Sequence, residues 1–226
     1  MRSIVKVIAG ILVPLMSVTA AFAQDAAGKV LCQGHGSLRV TTSEGKVIYI
    51  DPYAGAGYDV PADLILITHS HRDHTAVDII EALSEGCRTI TYQEALVNGE
   101  YKTFDLGYVT IEAVQAGNNP NHDINVCVGY VLTFSDGKTL YVTGDTSATD
   151  QMADLATRNL DYAFFCCDGI YNMDMGEAIT CAALVGARHS IPYHMAPGSL
   201  FDQARAELFV VENSMIVADG EEFAVE

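Results

Sequence analysis

Thr68-His69-Ser70-His71-Arg72-Asp73-His74-Thr75 follows directly on Leu64-Ile65-Leu66-Ile67, an apolar run of buried-strand type. Three imidazoles and a carboxylate thus fall within six residues at the end of a strand. Crowded imidazoles repel one another when charged, so the cluster needs something that keeps them neutral or binds them. A metal ion does both: His69 and His71 suit one ion, while Asp73 and His74 turn towards a second. Four side chains in one loop cannot complete two sites, so partners are expected downstream.

The chain has seven His, which leaves His35, His122, His189 and His194 as further candidates. His122 closes the polar loop Gly117-Asn118-Asn119-Pro120-Asn121-His122, and His194 follows Ser190-Ile191-Pro192-Tyr193. Asp145 stands in Thr143-Gly144-Asp145-Thr146, where the apolar Leu140-Tyr141-Val142 gives way to a turn. Each alone reads as a turn or surface residue. Together with the six-residue cluster they form a set, because side chains at several strand ends can converge on one point. His189 reads as structural or exposed.

Composition bounds what such a site serves. Of 226 residues 50% are hydrophobic and 18% charged, which excludes a disordered chain. A net charge of −17 argues against a nucleic-acid partner, whose phosphates demand Lys and Arg, and against anionic membranes. Arg2 and Lys6, the apolar run 7–18 and the small-residue site Ala21-Phe22-Ala23 make residues 1–23 a cleavable signal peptide. The run is short and broken by Pro14; an N-terminal anchor is the alternative reading. Loss of Arg2 and Lys6 would bring the charge to −19, and the protein is expected to be secreted or periplasmic, without stable membrane association. Six Cys (32, 87, 127, 166, 167 and 181) permit 15 pairings and show no small-domain framework, so one or two disulfides stay open.

Residues 24–226 read as a single domain, with no linker or charge block dividing them. Strand-like runs fall at 37–41, 47–50, 64–68, 109–114, 126–134, 139–143 and 162–167, and Ser135-Asp136-Gly137-Lys138 reads as a hairpin turn. Helices are expected at 75–83, 148–157, 175–186 and 201–211. Strands in groups with helices between them predict sheets with helices packed outside.

The ordered residues Asp51, His69, His71, Asp73, His74, His122, Asp145 and His194 resemble the signature of the metallo-β-lactamase superfamily of metal-dependent hydrolases. The match runs from about Leu31 to the end. Gly34-His35-Gly36-Ser37, Ile48-Tyr49-Ile50-Asp51-Pro52 and Ile191-Pro192-Tyr193-His194 are similar to a small single-domain subgroup that includes L-ascorbate-6-phosphate lactonases. The resemblance implies an α/β fold, a four-layer αββα sandwich of two mixed sheets with helices outside. It implies two divalent ions, zinc foremost with manganese or iron as alternatives. His69, His71 and His122 would hold the first; Asp73, His74 and His194 the second; Asp145 would bridge them. A hydroxide shared between such ions attacks the substrate, with Asp73 and His194 as the catalytic candidates. Asp51 either supports the metal loop by hydrogen bonds or makes an ordinary Asp-Pro turn. His35, between two glycines, either approaches the site or is a buried, satisfied imidazole.

Within that superfamily, glyoxalase II-like enzymes need a C-terminal helical domain for which no room follows His194. RNA-processing members need basic surfaces or an inserted domain, flavodiiron reductases a flavin domain, and true β-lactamases usually carry a different residue at position 74. The expectation is therefore a binuclear hydrolase of a small ester, lactone or phosphoester. A metal-binding module without turnover and an exported β-lactam hydrolase are the alternatives. Only Arg72, Arg188 and Lys102 lie near the motifs as partners for a phosphate. Oligomeric state is not readable.

Overall fold

The structure, a computed structural model, describes residues 27–226. The signal-peptide reading of residues 1–23 lies outside the described residues. The chain forms strands β1 (Lys29–Gly34), β2 (Ser37–Thr41), β3 (Val47–Ile50), β4 (Ala62–Ile67) and β5 (Leu83–Thr91), then helix α1 (Tyr92–Ala95). Two short strands, β6 (Leu96–Val97) and β7 (Glu100–Tyr101), pair with each other before β8 (Thr103–Asp105), β9 (Val109–Gln115), β10 (Val128–Phe134) and β11 (Thr139–Val142). Helix α2 (Met152–Leu155), β12 (Tyr162–Cys166), α3 (Met175–Val185), β13 (His189–Tyr193), α4 (Gln203–Ala206) and β14 (Glu222–Ala224) complete it.

Two six-stranded mixed sheets result, ordered β14-β1-β2-β3-β4-β5 and β13-β12-β11-β10-β9-β8. Both follow one plan: antiparallel pairs first, then two parallel pairs, β3–β4–β5 in one sheet and β11–β12–β13 in the other. Strand alternation explains the layers. In β3, Ile48 and Ile50 face the core shared by the two sheets, while Val47 and Tyr49 join an outer cluster with Tyr58, Ile65, Ile67 and Ile80. All four side chains of β3 are therefore buried, which its unbroken apolar sequence requires. Each contributes about 1.5–3 kcal/mol by leaving water.

The helical layer is thinner than the sequence suggested. Helix α3 matches its expectation, with Ala178, Cys181, Ala182 and Val185 buried at helical spacing, Asp174 capping its start and Gly186 its end. The helix expected at 75–83 is absent: a 3-10 turn occupies Val77–Ile79, and β5 begins at Leu83. The cause is visible in the backbone. Glu81 N–H, which a helix would direct to Val77, donates instead to Tyr58 carbonyl, and Ala76 N–H donates to Pro52, so the loop after β3 holds this segment in another course. The expected helices at 148–157 and 201–211 shrink to α2, followed by a 3-10 turn at Ala156–Arg158, and to α4. Strands β1, β5, β6, β7, β8, β13 and β14 fall outside the strand-like runs of the sequence. All six Cys are free thiols, and Cys166 and Cys167 are fully buried.

The plan positions the site. Asp51 ends β3, His69 follows β4, Asp145 follows β11 and His194 follows β13, so all sit at the carboxyl ends of parallel strands. His122 lies in the 116–127 loop joining β9 and β10 at the same edge. Val128 N–H donates to Thr68 carbonyl (3.0 Å) and the buried Tyr130 hydroxyl to Ile67 carbonyl (2.9 Å), tying one sheet to the other there.

Candidate metal centre

Asp145 is the middle of the cluster, and it is buried. Its Oδ2 faces His122 Nε2 at 3.3 Å and His69 Nε2 at 4.0 Å. Its Oδ1 faces His194 Nε2 at 3.4 Å and His74 Nε2 at 3.5 Å. Each oxygen thus serves a different pair of imidazoles. His71 turns its Nδ1 to within 3.2 Å of His122 Nε2, and single nitrogens of His69, His71 and His122 all lie within 4.8 Å of one another. On the other side, one atom each from His35, Asp73, His74 and His194 meets the same limit. All seven ligand candidates of the sequence come together in two adjoining groups.

The far side of each ring fixes which nitrogen faces inward. His74 Nδ1 lies 2.8 Å from Asp51 Oδ2, and a carboxylate only accepts, so the proton is on Nδ1. The Thr68 hydroxyl donates its single proton to Asp51 Oδ2 (2.6 Å), so His69 Nδ1 must donate to Thr68 Oγ1 (3.0 Å). Asn119 Oδ1, already accepting from the backbone of Asn121 and His122, accepts from His122 Nδ1 (3.3 Å). Asp168 Oδ2 stands 3.4 Å from His194 Nδ1. Four Nε2 atoms are left pointing at carboxylate oxygens. Nε2 of His69, His74 and His194 and Oδ1 of Asp145 are buried with no hydrogen-bond partner. Imidazole nitrogen set against carboxylate oxygen at these distances calls for a proton or a metal ion between them, so the donor set fits metal ions.

The electrostatics differ between the groups. Burial pulls the His69 imidazole down to about 2 and also lowers that of His71, so both are neutral and open to metal. Burial opposes charge on His74 and His194 too, but Asp145 outweighs it, helped by Asp51 at His74 and by Asp168 at His194, and both are raised. Burial would raise Asp145; His194 and His74 outweigh it and hold the carboxyl well below its ordinary range. Asp73 is lowered, first by its hydrogen bond to His35 Nε2 (3.0 Å).

Two second-rank expectations resolve here. Asp51 is no plain turn: it accepts from His74, from Thr68 N–H (2.8 Å) and from the Thr68 hydroxyl. His35, at the tip of the β1–β2 hairpin, holds Asp73 and packs on the His194 ring with centroids 3.8 Å apart. A Cβ on the adjacent Gly36 would stand 2.9 Å from His74 and 3.2 Å from His194, so only glycine lets the tip approach. His35, Asp51 and His194 hold left-handed φ of 55°, 48° and 44°, a strain of roughly 1–2 kcal/mol each. His189 is exposed and stacks on Tyr162.

Asp168 was missed. Burial opposes its charge, but His194 and the backbone N–H groups of Tyr171 and Ile170 hold it down, to about 2. The missed signal is its place: like Asp51 and Asp145, it is an acid just beyond an apolar strand. Asn119 and Thr68 carried no such mark.

A family model described as beta-lactamase superfamily domain matches residues 29–194. A UPF0173 metal-dependent hydrolase of Nitratidesulfovibrio vulgaris is 30% identical over 202 residues, covering 77% of this chain and 83% of that protein. Among solved structures, a metal-dependent hydrolase from Parabacteroides distasonis superposes with a TM-score of 0.70 at 26% identity, over 85% of this chain and 93% of that one. Igni18, a metallo hydrolase from Ignicoccus hospitalis, shares the fold with a TM-score of 0.70 at 22% identity, over 89% and 99% of the two chains. With its two mixed sheets and the His/Asp cluster at their common edge, the chain belongs to the beta-lactamase superfamily, as a metal-dependent hydrolase of the metallo-β-lactamase fold.

Proposed function

We propose that the protein hydrolyses a small ester or lactone with two divalent ions, held by His69, His71 and His122 on one side and by Asp73, His74 and His194 on the other. Asp145 would bridge them. The observation that carries this reading is the division of labour in Asp145, whose two oxygens each face a separate pair of imidazole Nε2 atoms. Such ions supply an acidified water and polarise the substrate oxygen; imidazole with carboxylate donors suits zinc best. The residues do the rest. Asp73 is half-buried beside a cleft and stays ionised, so it serves better to orient the attacking water than to store its proton. His194 is buried, with both ring nitrogens directed at Asp145 and Asp168, which fits holding a metal rather than shuttling protons. A cavity of about 290 Å³ reaches His71, Asp73, His122, Asp145 and His194, an access that a closed metal store does not need. Residues 1–23 would direct export, leaving Gln24 as the first residue of the mature protein.

The test is metal content together with an ester, lactone and β-lactam panel on the mature protein. Two ions per chain with chelator-sensitive ester or lactone turnover is the expected result. Two ions with no turnover across the panel would return the protein to metal binding alone.

A further inference from the structure

The cavity over the ligand atoms continues into a second of about 250 Å³, because Asp73, Tyr171 and His194 line both. The second part is different in kind. Its walls are Tyr53, Ala54, Pro197, Leu200 and Tyr171, with the His35 ring between Tyr53 and the metal-ligand cluster. Tyr53 is 42% exposed and Tyr171 51%, large aromatic surfaces left uncovered at the mouth of a site. The backbone that carries each ring is anchored. Tyr53 N–H donates to the Tyr58 hydroxyl (3.2 Å), Tyr171 N–H donates to Asp168 (2.7 Å), and Asn121 Nδ2 donates to the Tyr171 carbonyl (3.4 Å).

Among the described residues, no Lys or Arg lines either part of the cleft. Of the three cations near the motifs, Arg188 pairs with Asp161 and Lys102 with Glu100, while Arg72 is exposed and lines neither part. Arg205 donates to the carbonyls of Cys167 and Asp168. An anionic group on the remote end of a substrate would lie against tyrosine, proline and leucine with no counter-charge, on a chain of net charge −17. A flat apolar group would cover two aromatic faces that water now wets.

We infer that the second part of the cleft is a subsite for the uncharged, flat apolar portion of a neutral ester or lactone, with Tyr53 and Tyr171 as its walls. This rests on the hydrolase reading and narrows it away from phosphorylated substrates. The test uses the metal-loaded protein and three aryl acetates whose para-methylene carries hydroxyl, carboxylate or phosphate. The reacting ester stays the same and the remote charge varies. The neutral ester is expected to have a kcat/KM about tenfold or more above the charged pair. Tyr53→Ala and Tyr171→Ala should each raise KM for it about fivefold to tenfold with a smaller change in kcat, and Phe at either position should restore it. Saturation-transfer NMR with benzyl alcohol gives a readout that needs no turnover: contact in the parent protein, weakened in both Ala variants. Equal or faster turnover of the phosphorylated ester would overturn the subsite and leave the hydrolase standing. Failure to hydrolyse any ester, with benzyl alcohol still held by the two tyrosines, would overturn the hydrolase reading and leave the subsite.

Discussion

The two halves of the candidate metal centre solve one problem by different means. The first half is three imidazoles, His69, His71 and His122, of which His69 and His71 are kept neutral by burial, with lone pairs ready before any ion arrives. The second half sets His74 and His194 among three carboxylates, Asp51, Asp145 and Asp168, which raise both imidazoles and favour protons where an ion would sit. The first half is thus organised by shape and desolvation, the second by charge. A metal enters the first by filling a space and the second by displacing protons.

The largest expected effect comes from the residue the halves share. Asp145→Ala should reduce bound metal from two ions to one or fewer and lower hydrolysis at least about a thousandfold, read by elemental analysis and turnover. His71→Ala and His74→Ala separate the halves: each should lose one ion, and metal titration of both variants should show different sites remaining. Smaller again is Asp168→Asn, which keeps the shape but weakens the hold on His194. We expect about tenfold to a hundredfold weaker binding of the second ion, with the first unchanged, by competition against a chelator.

Protonation sharpens the contrast without mutation. His74 and His194 have raised folded pKa values, so their contribution to the metal-free protein is complete below about pH 6.5 and is lost as pH rises through those values. Asp145 and Asp168 are depressed, so theirs is present above about pH 4 and lost on acidification. His35, His69 and His71 are lowered by burial and cost stability as pH falls below about 6.5, so metal-free protein should be most stable near pH 6.5 by thermal unfolding. Near neutral pH the second ion should release more protons than the first, as calorimetry in buffers of different ionisation enthalpy would show. The smallest effect is Gly36→Ala, whose Cβ presses on His74 and His194. It should cost about 1–3 kcal/mol and lower Tm by several degrees.

How much of this the sequence shows depends on whether a residue's signal is local. His69, His71, Asp73 and His74 announce themselves by spacing, and the buried strand before them by its apolar run. Asp145, His122 and His194 became legible only as an ordered set, because each alone sits in an ordinary turn. Asp168 escaped because its partner, His194, is 26 residues away and the two meet only where β12 and β13 pair in parallel. The missing helix at 75–83 has the same origin. Its residues have helical spacing, but Tyr58 carbonyl takes the Glu81 donor across the fold. Strand β5 was hidden because it is an edge strand with few buried side chains, which leaves no hydrophobic alternation to read.

The central claim is that Asp145 joins two ion sites of unlike character. Native mass spectrometry of residues 24–226 during zinc titration tests it most directly, run beside Asp145→Ala. The account predicts two ions taken up by the parent in two separable steps, and one or none by the variant. Saturation of the parent at a single ion, or two ions retained without Asp145, would contradict it.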